Sequence, residues 1–288
     1  MFYFSIISNI YIRKNKDIIV IAKTNLLESN VMNSKYNAYF CKSSYHRTMC
    51  NLIGSGEYCK TPKRKTAMYC FGSTITCTRY PKFLLNGRPK ILPRPYQSCK
   101  PKNSGYSIIR STWMQALLQD METQTFYYLQ KICSRSKDII KTLLYMSLSK
   151  SMIPECLRLG ETCFTHMTVF GTVGKEDGNM PIHFDERDII SCVFHLGDVH
   201  SGGDTEYYDG NSSKKVGDCI YTVPFRHGTL QIGLFRNILH GVQYWEGQRC
   251  GIQVNIKKDV LKHFITYGNE YYNKFRATDY PQGPIIYY

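Results

Sequence analysis

Long apolar runs are missing from this sequence. No stretch reaches the roughly 18–20 apolar residues that a transmembrane helix needs, so we expect no membrane partner. Residues 1–12 are apolar, but the positive charges follow them rather than precede them, which argues against a secretory signal. We therefore expect an intracellular protein, in the nucleus or the cytoplasm. Its 288 residues are enough to bury one large core.

Acidic residues are also few, and they are unevenly placed. The chain has 37 Lys and Arg against 22 Asp and Glu, a net charge of +15. Residues 1–150 carry 24 basic against 6 acidic side chains, a net charge of +18, whereas residues 151–288 have a net charge of −3. Such asymmetry indicates that the N-terminal half contacts nucleic acid or another anionic surface.

The positive charge is densest between residues 60 and 94. A basic run over residues 60–66 is followed by more cations interleaved with aromatic rings. These later residues are Arg79, Lys82, Arg88, Lys90 and Arg94, with Tyr69, Phe71, Tyr80 and Phe83. Basic side chains neutralise phosphates and aromatic rings stack on bases, so residues 60–94 form a candidate nucleic-acid-binding segment. A solvated charged face and a nuclear-import signal are the alternatives.

Tight Cys-x2-Cys pairs are absent, although the chain has 12 cysteines. Six of them fall between residues 41 and 99, and the series Cys41, His46, Cys50 and Cys59 offers residue types that bind zinc. Zinc fingers and knuckles favour short paired spacings. A structural zinc and reduced intracellular thiols therefore stay open as alternatives.

Short strands are predicted along the C-terminal half, where apolar segments alternate with turn residues. These segments lie at 165–173, 189–196, 202–210, 217–224, 228–235 and 249–256. A turn-rich loop is predicted at 175–181, with His183 at the start of the next extended stretch. Many short strands at regular spacing indicate a sandwich or barrel. We predict a mainly β fold with flanking helices, of the jelly-roll or cupin-like barrel type.

Helices are predicted on both sides of this barrel in sequence. Ser111 is a suitable N-cap for a helix, helical spacing continues from Tyr127 to Leu148, and a C-terminal helix is predicted over 258–275. Two short strands are an option for residues 1–25, and prolines over 81–104 indicate an extended linker. We predict a basic, Cys-rich N-terminal extension over 1–104 and a second domain over 105–288, with its barrel at about 160–257.

Four residues of the predicted barrel form an ordered chemical pattern. His183-Phe-Asp185 supplies two metal ligands close in sequence, and His240 supplies a distant third. Two histidines and one carboxylate hold Fe(II) on one face and leave the other positions open. Arg249, nine positions after His240, offers a guanidinium that matches a carboxylate bidentately. Singly, each could be a surface, core or edge-strand residue, but their order beside the glycines favours a metal site.

The stretch from about Thr165 to Ile256, roughly a third of the chain, resembles a known family. It is similar to the double-stranded β-helix core of the Fe(II)/2-oxoglutarate-dependent dioxygenases. His183 and Asp185 match the first two iron ligands of that family, and His240-Gly-Val matches the third. The resemblance implies a double-stranded β-helix with helices bracing its outer sheet.

The co-substrate arginine of that family is matched by Gly247-Gln-Arg249. Its spacing from His240 is similar to the prolyl-hydroxylase-like branch, and the Arg-x-Asn-x-Thr-x-Arg pattern of the AlkB group is absent. Gly202-Gly203 also matches, before a short strand. One departure is Gly251, where many members carry Ser or Thr. The lost hydroxyl weakens the expected hold on the distal carboxylate.

The resemblance implies an oxidoreductase that uses Fe(II), 2-oxoglutarate and O2 and releases succinate and CO2, with ascorbate as a stimulant. In that case His183, Asp185 and His240 bind the metal and Arg249 pairs with the far carboxylate of 2-oxoglutarate. Further pocket residues are predicted by their position on the strands: Thr168, Thr172, Tyr207 and Tyr208. His195 lies in an apolar run, where a core histidine is the ordinary interpretation.

Three functional hypotheses follow from these residues. The first is a dioxygenase that hydroxylates or demethylates a macromolecule: the arginine spacing favours a protein substrate, and the basic N-terminal half favours nucleic acid. The second is a catalytically degenerate β-helix module that binds nucleic acid. The third is a cupin-like metal enzyme without 2-oxoglutarate, in which Arg249 is structural. Fold alone does not decide between them.

Overall fold

The computed structural model describes residues 9–14, 17–23, 34–58, 67–75, 93–100, 102–132, 136–171, 177–212 and 215–279. The strands in these ranges are β1 Asn9–Lys14, β2 Asp17–Lys23, β3 Glu57–Tyr58, β4 Ala67–Ile75, β5 Pro93–Pro95, β6 His166–Gly171, β7 Asp177–His183, β8 Asp188–Gly202, β9 Thr205–Ser212, β10 Lys215–Val223, β11 Thr229–Gly233 and β12 Leu239–Lys257. The helices are α1 Ser34–Phe40, α2 Tyr45–Ser55, α3 Ser104–Ile109, α4 Thr112–Ile132, α5 Lys137–Met152 and α6 Lys258–Asp279.

The long strand β12 belongs to two layers of sheet. Its C-terminal part pairs with β8 and β6, in a layer whose strand order is β1-β2-β11-β8-β12-β6-β4-β3. Its first residues, Leu239–Val242, pair with β7 on one side and with β9 on the other, and β9 pairs with β10. All these pairings are antiparallel. The fold is the double-stranded β-helix that the sequence predicts, mainly β with flanking helices.

The central strands of the larger layer are buried on both faces. Every residue of β6 and β11 is buried, which is why these strands are apolar with few charges. Phe194 of β8 packs edge-on against Phe40 of α1, with ring centroids 5.7 Å apart. Its neighbour Val193 points the other way and lines a cavity between the layers. The helices therefore cover one face, and the other face is left for a site.

The N-terminal part of the chain contributes strands to this sheet. β2 pairs with β11, and β4 pairs with β6. The sheet is thus continuous across the predicted boundary at residue 104. Phe71, one of the aromatic rings interleaved with the basic residues, is fully buried in the core. Most of the basic segment, at 59–66 and 76–92, lies outside the described residues.

Two local predictions need correction. Residues 177–181, predicted as loop, belong to β7, and His183 ends this strand rather than starting the next one. The glycine and proline of β7 suggest a turn, but pairing with β12 supplies the hydrogen bonds of an edge strand. The helical pattern from Tyr127 to Leu148 is divided between α4 and α5, which begins only at Lys137.

The remaining elements agree with the sequence patterns. β1 and β2 occupy the two short strands proposed for residues 1–25, and α4 begins directly after Ser111. The predicted C-terminal helix is α6, which is interrupted at Gly268 with a φ of 64°. None of the helices in the described ranges has the length and apolar character needed to cross a membrane.

Candidate metal and carboxylate site

Two neighbouring strands bring the predicted metal ligands together. His183 at the end of β7 is paired directly with His240 near the start of β12. Asp185 follows β7, and its backbone N–H donates to the carbonyl of Phe235. The ligand atoms of the three residues lie within 4.8 Å of one another. His183 Nε2 is 3.5 Å from Asp185 Oδ1, and His240 Nε2 is 3.8 Å from Asp185 Oδ2.

Backbone carbonyls select the tautomer of both histidines. His183 Nδ1 is 2.7 Å from the carbonyl oxygen of Pro181, and His240 Nδ1 is 3.2 Å from that of Ile238. A carbonyl can only accept, so each Nδ1 carries the proton and each Nε2 keeps its lone pair. Both Nε2 atoms are the ones that approach Asp185. The donor set fits Fe(II), because a ligating histidine normally donates its other N–H to such a partner.

The carboxylate of Asp185 is held in place by Gln253 of β12. Gln253 Nε2 donates to Asp185 Oδ2 over 2.8 Å. Burial would raise the pKa of Asp185, but the adjacent imidazoles of His183 and His240 and the nearby Lys257 outweigh burial and lower that pKa below its ordinary value. The side chain is therefore ionised, as a metal ligand must be.

A second buried carboxylate lies at the end of the same loop. Asp188 accepts from Lys257 Nζ over 2.6 Å and from Ser191 Oγ over 3.2 Å. Burial raises the pKa of Asp188 to about 6, because it outweighs the opposing effect of Lys257. Asp188 does not line the cavity, and its ion pair joins the start of β8 to the end of β12.

Arg249 lies on β12 with 1% of its surface exposed. Its Nε donates to the carbonyl of Gly203 over 3.1 Å, and its Nη2 lies 3.3 Å from His195 Nδ1. The guanidinium carbon is 5.2 Å from the centroid of the Trp245 ring, within the range of a cation–π contact. Burial lowers the pKa of Arg249 to about 10, so the group is still charged at neutral pH.

Glycines 202 and 203 make the contact to Arg249 possible. Both have a positive φ, of 68° and 79°, which L side chains rarely adopt. A Cβ on Gly202 would lie only 2.1 Å from the carbonyl oxygen of Tyr244. The turn before β9 can therefore pass close to β12 and present a carbonyl to Arg249. This explains the glycine pair that precedes the short strand in the sequence.

The metal ligands and Arg249 open onto one cavity between the two layers. Its wall also includes apolar side chains from both layers and several polar groups. These residues are Met68, Phe170, Met180, Val193, His195, Thr205, Gln231, Phe235, Val242 and Gln253. The cavity therefore joins a metal-ligand cluster and a buried cation, and its remaining wall is largely apolar.

The other predicted pocket residues take different places. Thr168 shares the cavity-side face of β6 with Phe170, but its hydroxyl pairs with His166 Nε2 at 3.0 Å and it does not line the cavity. Tyr208 hydrogen-bonds to Glu206 and does not line the cavity either. Its neighbour Tyr207 is the tyrosine that approaches His240, with ring centroids 6.3 Å apart. Thr172 lies outside the described residues.

Sequence reasoning missed four polar residues at the cavity, and one of them, Thr205, accepts from Arg249 Nη2 over 3.4 Å. Gln253 is four positions after Arg249 on the same strand, so the two-residue period of a strand predicts that they share a face. Gln231 is a polar residue within an apolar strand, where it accepts from Tyr207 Oη over 2.6 Å. His195, expected as an ordinary core histidine, lines the cavity beside Arg249. Alternation along each strand is the signal that could have found them.

A zinc site at the N-terminal cysteines is not formed by the described residues. Cys41 and Cys50 are described, whereas Cys59 is not. Within the described ranges, the only group of three potential metal ligands is His183, Asp185 and His240. Cys50 Sγ is 3.8 Å from His46 Nδ1, a pair without a third ligand among these residues. The nine cysteines in the described ranges are free thiols.

Comparison with known proteins gives a likeness in fold. No protein-family model matches the sequence, and no curated protein matches it. An oxidoreductase of the 2OG-Fe(II) oxygenase family from Burkholderia pseudomallei is similar in structure, with a TM-score of 0.41 and 11% identity, over 77% of this chain and 82% of that one.

Two further solved structures are similar to this chain. NgTET1 in complex with 5mC DNA has a TM-score of 0.45 and 13% identity, over 87% of this chain and 76% of that one. A Pseudomonas putida prolyl-4-hydroxylase has a TM-score of 0.36 and 12% identity, over 76% of this chain and 90% of that one.

Proposed function

We propose that this protein is an Fe(II)- and 2-oxoglutarate-dependent dioxygenase that oxidises a macromolecular substrate. The observation that carries the proposal is a single cavity with a two-histidine-one-carboxylate cluster and a buried arginine on its wall. His183, Asp185 and His240 would hold Fe(II), which would supply the activation of O2. In the overall reaction one oxygen atom of O2 enters succinate and the other forms the hydroxyl of the product, with CO2 released.

The residues of this chain have distinct parts in that proposal. Arg249 would bind the far carboxylate of 2-oxoglutarate bidentately, because its position is fixed by Gly203 and by the Trp245 ring. Burial strengthens such a pair relative to an exposed one. Gln253 would orient the ligating carboxylate of Asp185. The apolar wall, including Phe235 beside His240, would exclude water from the reacting centre.

The first experiment measures succinate formed from 2-oxoglutarate with Fe(II), ascorbate and O2, because such enzymes turn over slowly without their prime substrate. We expect succinate from the wild type and none from His183→Ala or Asp185→Ala, which should keep their fold. His200→Ala is the matched control, since His200 is exposed on β8 and does not line the cavity. Retained turnover in His183→Ala would overturn the proposal.

The second experiment separates the three hypotheses by binding. 2-Oxoglutarate is titrated anaerobically into metal-loaded protein. We expect Arg249→Ala to lose about 2–5 kcal/mol of 2-oxoglutarate binding, as when a buried charge pair loses a partner, and to keep the metal. Arg226→Ala is the control, since this arginine is exposed. Metal binding without 2-oxoglutarate binding by the wild type would favour the cupin-like enzyme, and binding of neither would favour the degenerate module.

The substrate we propose first is nucleic acid, bound through the basic N-terminal half, with a protein as the alternative. The support is the net charge of +18 over residues 1–150, against −3 over the rest of the chain. We expect an affinity for nucleic acid that falls steeply with salt concentration. A slope near zero in that measurement would favour the protein substrate, as the spacing of Arg249 does.

A further inference from the structure

Gly251 leaves room for two side chains from neighbouring strands. Gly251 follows Arg249 by two residues, so both face the same side of β12. Its cross-strand partners in the sheet are Phe170 on β6 and His195 on β8. A Cβ on Gly251 would lie 2.5 Å from Phe170 Cζ. The space where a serine or threonine hydroxyl would stand is therefore filled from the adjacent strand. Any second donor beside Arg249 must come from elsewhere.

His195 is the polar neighbour on the opposite strand. It is 5% exposed and lines the cavity. Its Nδ1 lies 3.3 Å from Arg249 Nη2. A guanidinium can only donate, so His195 Nδ1 accepts, and the proton of the neutral ring is on Nε2.

The other ring nitrogen of His195 is available to a ligand. His195 Nε2 is buried and makes no hydrogen bond to any of the described residues. Burial and then the charge of Arg249 lower the pKa of His195 well below its ordinary value, although a side-chain contact with Gln231 opposes them. That contact does not reach hydrogen-bond geometry at His195 Nε2, and the Gln231 amide is already bonded to Tyr207 and Thr205. The ring is therefore neutral, with an N–H donor that is buried without a partner. Such a group is costly unless a ligand satisfies it.

We infer that His195 is a ligand-binding residue, whose Nε2–H donates to the carboxylate that Arg249 binds. This inference rests on the proposed function, since the carboxylate is that of the dicarboxylic co-substrate. His195 then supplies the hydrogen bond that a hydroxyl at position 251 cannot supply. The carboxylate site would consist of one cation and one neutral donor, both held by the pairing of β8 with β12.

The test compares two variants of His195 by anaerobic titration of 2-oxoglutarate into Fe(II)-loaded protein. His195→Phe keeps a ring but loses both nitrogens, and we expect its affinity for 2-oxoglutarate to fall about 10- to 100-fold. His195→Gln keeps one acceptor and one donor, so it should retain most of the affinity. Both variants should keep their affinity for the metal, which also reports that they fold. His200→Phe, on the exposed part of β8, is the matched control.

A spectroscopic measurement separates direct donation from an effect through Arg249. In zinc-substituted protein with ¹⁵N-labelled histidine, the His195 Nε2–H resonance should shift when 2-oxoglutarate is added. An unmoved resonance, or equal affinities of His195→Phe and wild type, would overturn the inference and leave the proposed function intact. If metal-loaded wild type does not bind 2-oxoglutarate at all, the proposed function itself fails and the donor role falls with it.

Discussion

Replacing Gly251 by alanine tests the packing on which the carboxylate site depends. The added Cβ would lie 2.5 Å from Phe170 Cζ and 3.0 and 3.1 Å from its two Cε atoms. Ordinary carbon contacts are about 3.5–4.0 Å, so the ring would have to move by about 1 Å. Phe170 is 4% exposed and lines the cavity, so the ring would have to shift against its packed neighbours or into the cavity itself. Overpacking of this kind destabilises by about 1–3 kcal/mol.

The assay is urea unfolding of the wild type, Gly251→Ala, Phe170→Leu and the double variant. Leucine ends at its Cδ atoms, so it removes all three atoms that the new Cβ would meet. We therefore expect the double variant to be more stable than the sum of the single changes by about 1–2 kcal/mol, within the range for residues in contact. The four proteins should unfold with the same m-value, so that midpoints compare stability.

Gly54→Ala is the matched control for this cycle. Gly54 lies in helix α2, and a Cβ there would meet nothing within 4 Å. Alanine should stabilise that helix by about 0.5–1 kcal/mol. The reasoning would be refuted if Gly251→Ala were as stable as the wild type. It would also fail if Phe170→Leu gave no relief in the double variant.

Two further predictions concern the polar groups behind the metal cluster. Gln253→Leu removes the donor 2.8 Å from Asp185 Oδ2. The Fe(II) affinity measured in a metal titration should therefore fall about 10- to 100-fold. Gln243→Leu is the control, because Gln243 is exposed on the same strand, and it should leave the Fe(II) affinity unchanged. Lys257→Met leaves the buried Asp188 carboxylate without its cation and should destabilise by about 3–5 kcal/mol at about pH 8. The loss should be smaller at about pH 5, where protonation of Asp188 removes the buried charge. The folded-state pKa of Asp188 is about 6, above the unfolded value of about 3.9, and it should rise further when Lys257 is removed. In the wild type, ionisation of Asp188 therefore lowers stability as the pH rises from about 4 to about 6. Equal losses for Lys257→Met at both pH values would contradict the stabilising role of Lys257 beside Asp188.

Local patterns predicted most elements because they come from residues close together in the chain. The apolar segments of β6, β8 and β11 and the N-cap before α4 are such patterns. β7 was missed because its strand conformation depends on hydrogen bonds to β12, about 60 residues away in sequence. The division between α4 and α5 was missed, although Ser136, the N-cap residue of α5, is a residue type that commonly starts a helix.

The site shows the same division between local and distant information. The sequence predicted a metal cluster and a carboxylate-binding cation from four residues in order: His183, Asp185, His240 and Arg249. Two histidines and a carboxylate are the ligand set of an Fe(II) site, and a guanidinium matches a carboxylate. The ligand atoms of His183, Asp185 and His240 lie within 4.8 Å of one another because β7 pairs with β12. Tyr207 and Tyr208 could not be distinguished in sequence, since one step of register exchanges the two faces of a strand.

The sequence by itself determined the chemistry: which side chains can bind a metal, which can bind a carboxylate, and where the positive charge lies. Only the tertiary structure decided what surrounds them. Gly251 appears in the sequence as a lost hydroxyl, whereas the fold places Phe170 over it and His195 beside it. The physical reason is that cross-strand neighbours are set by register between segments distant in the chain, and register depends on packing across the whole sheet.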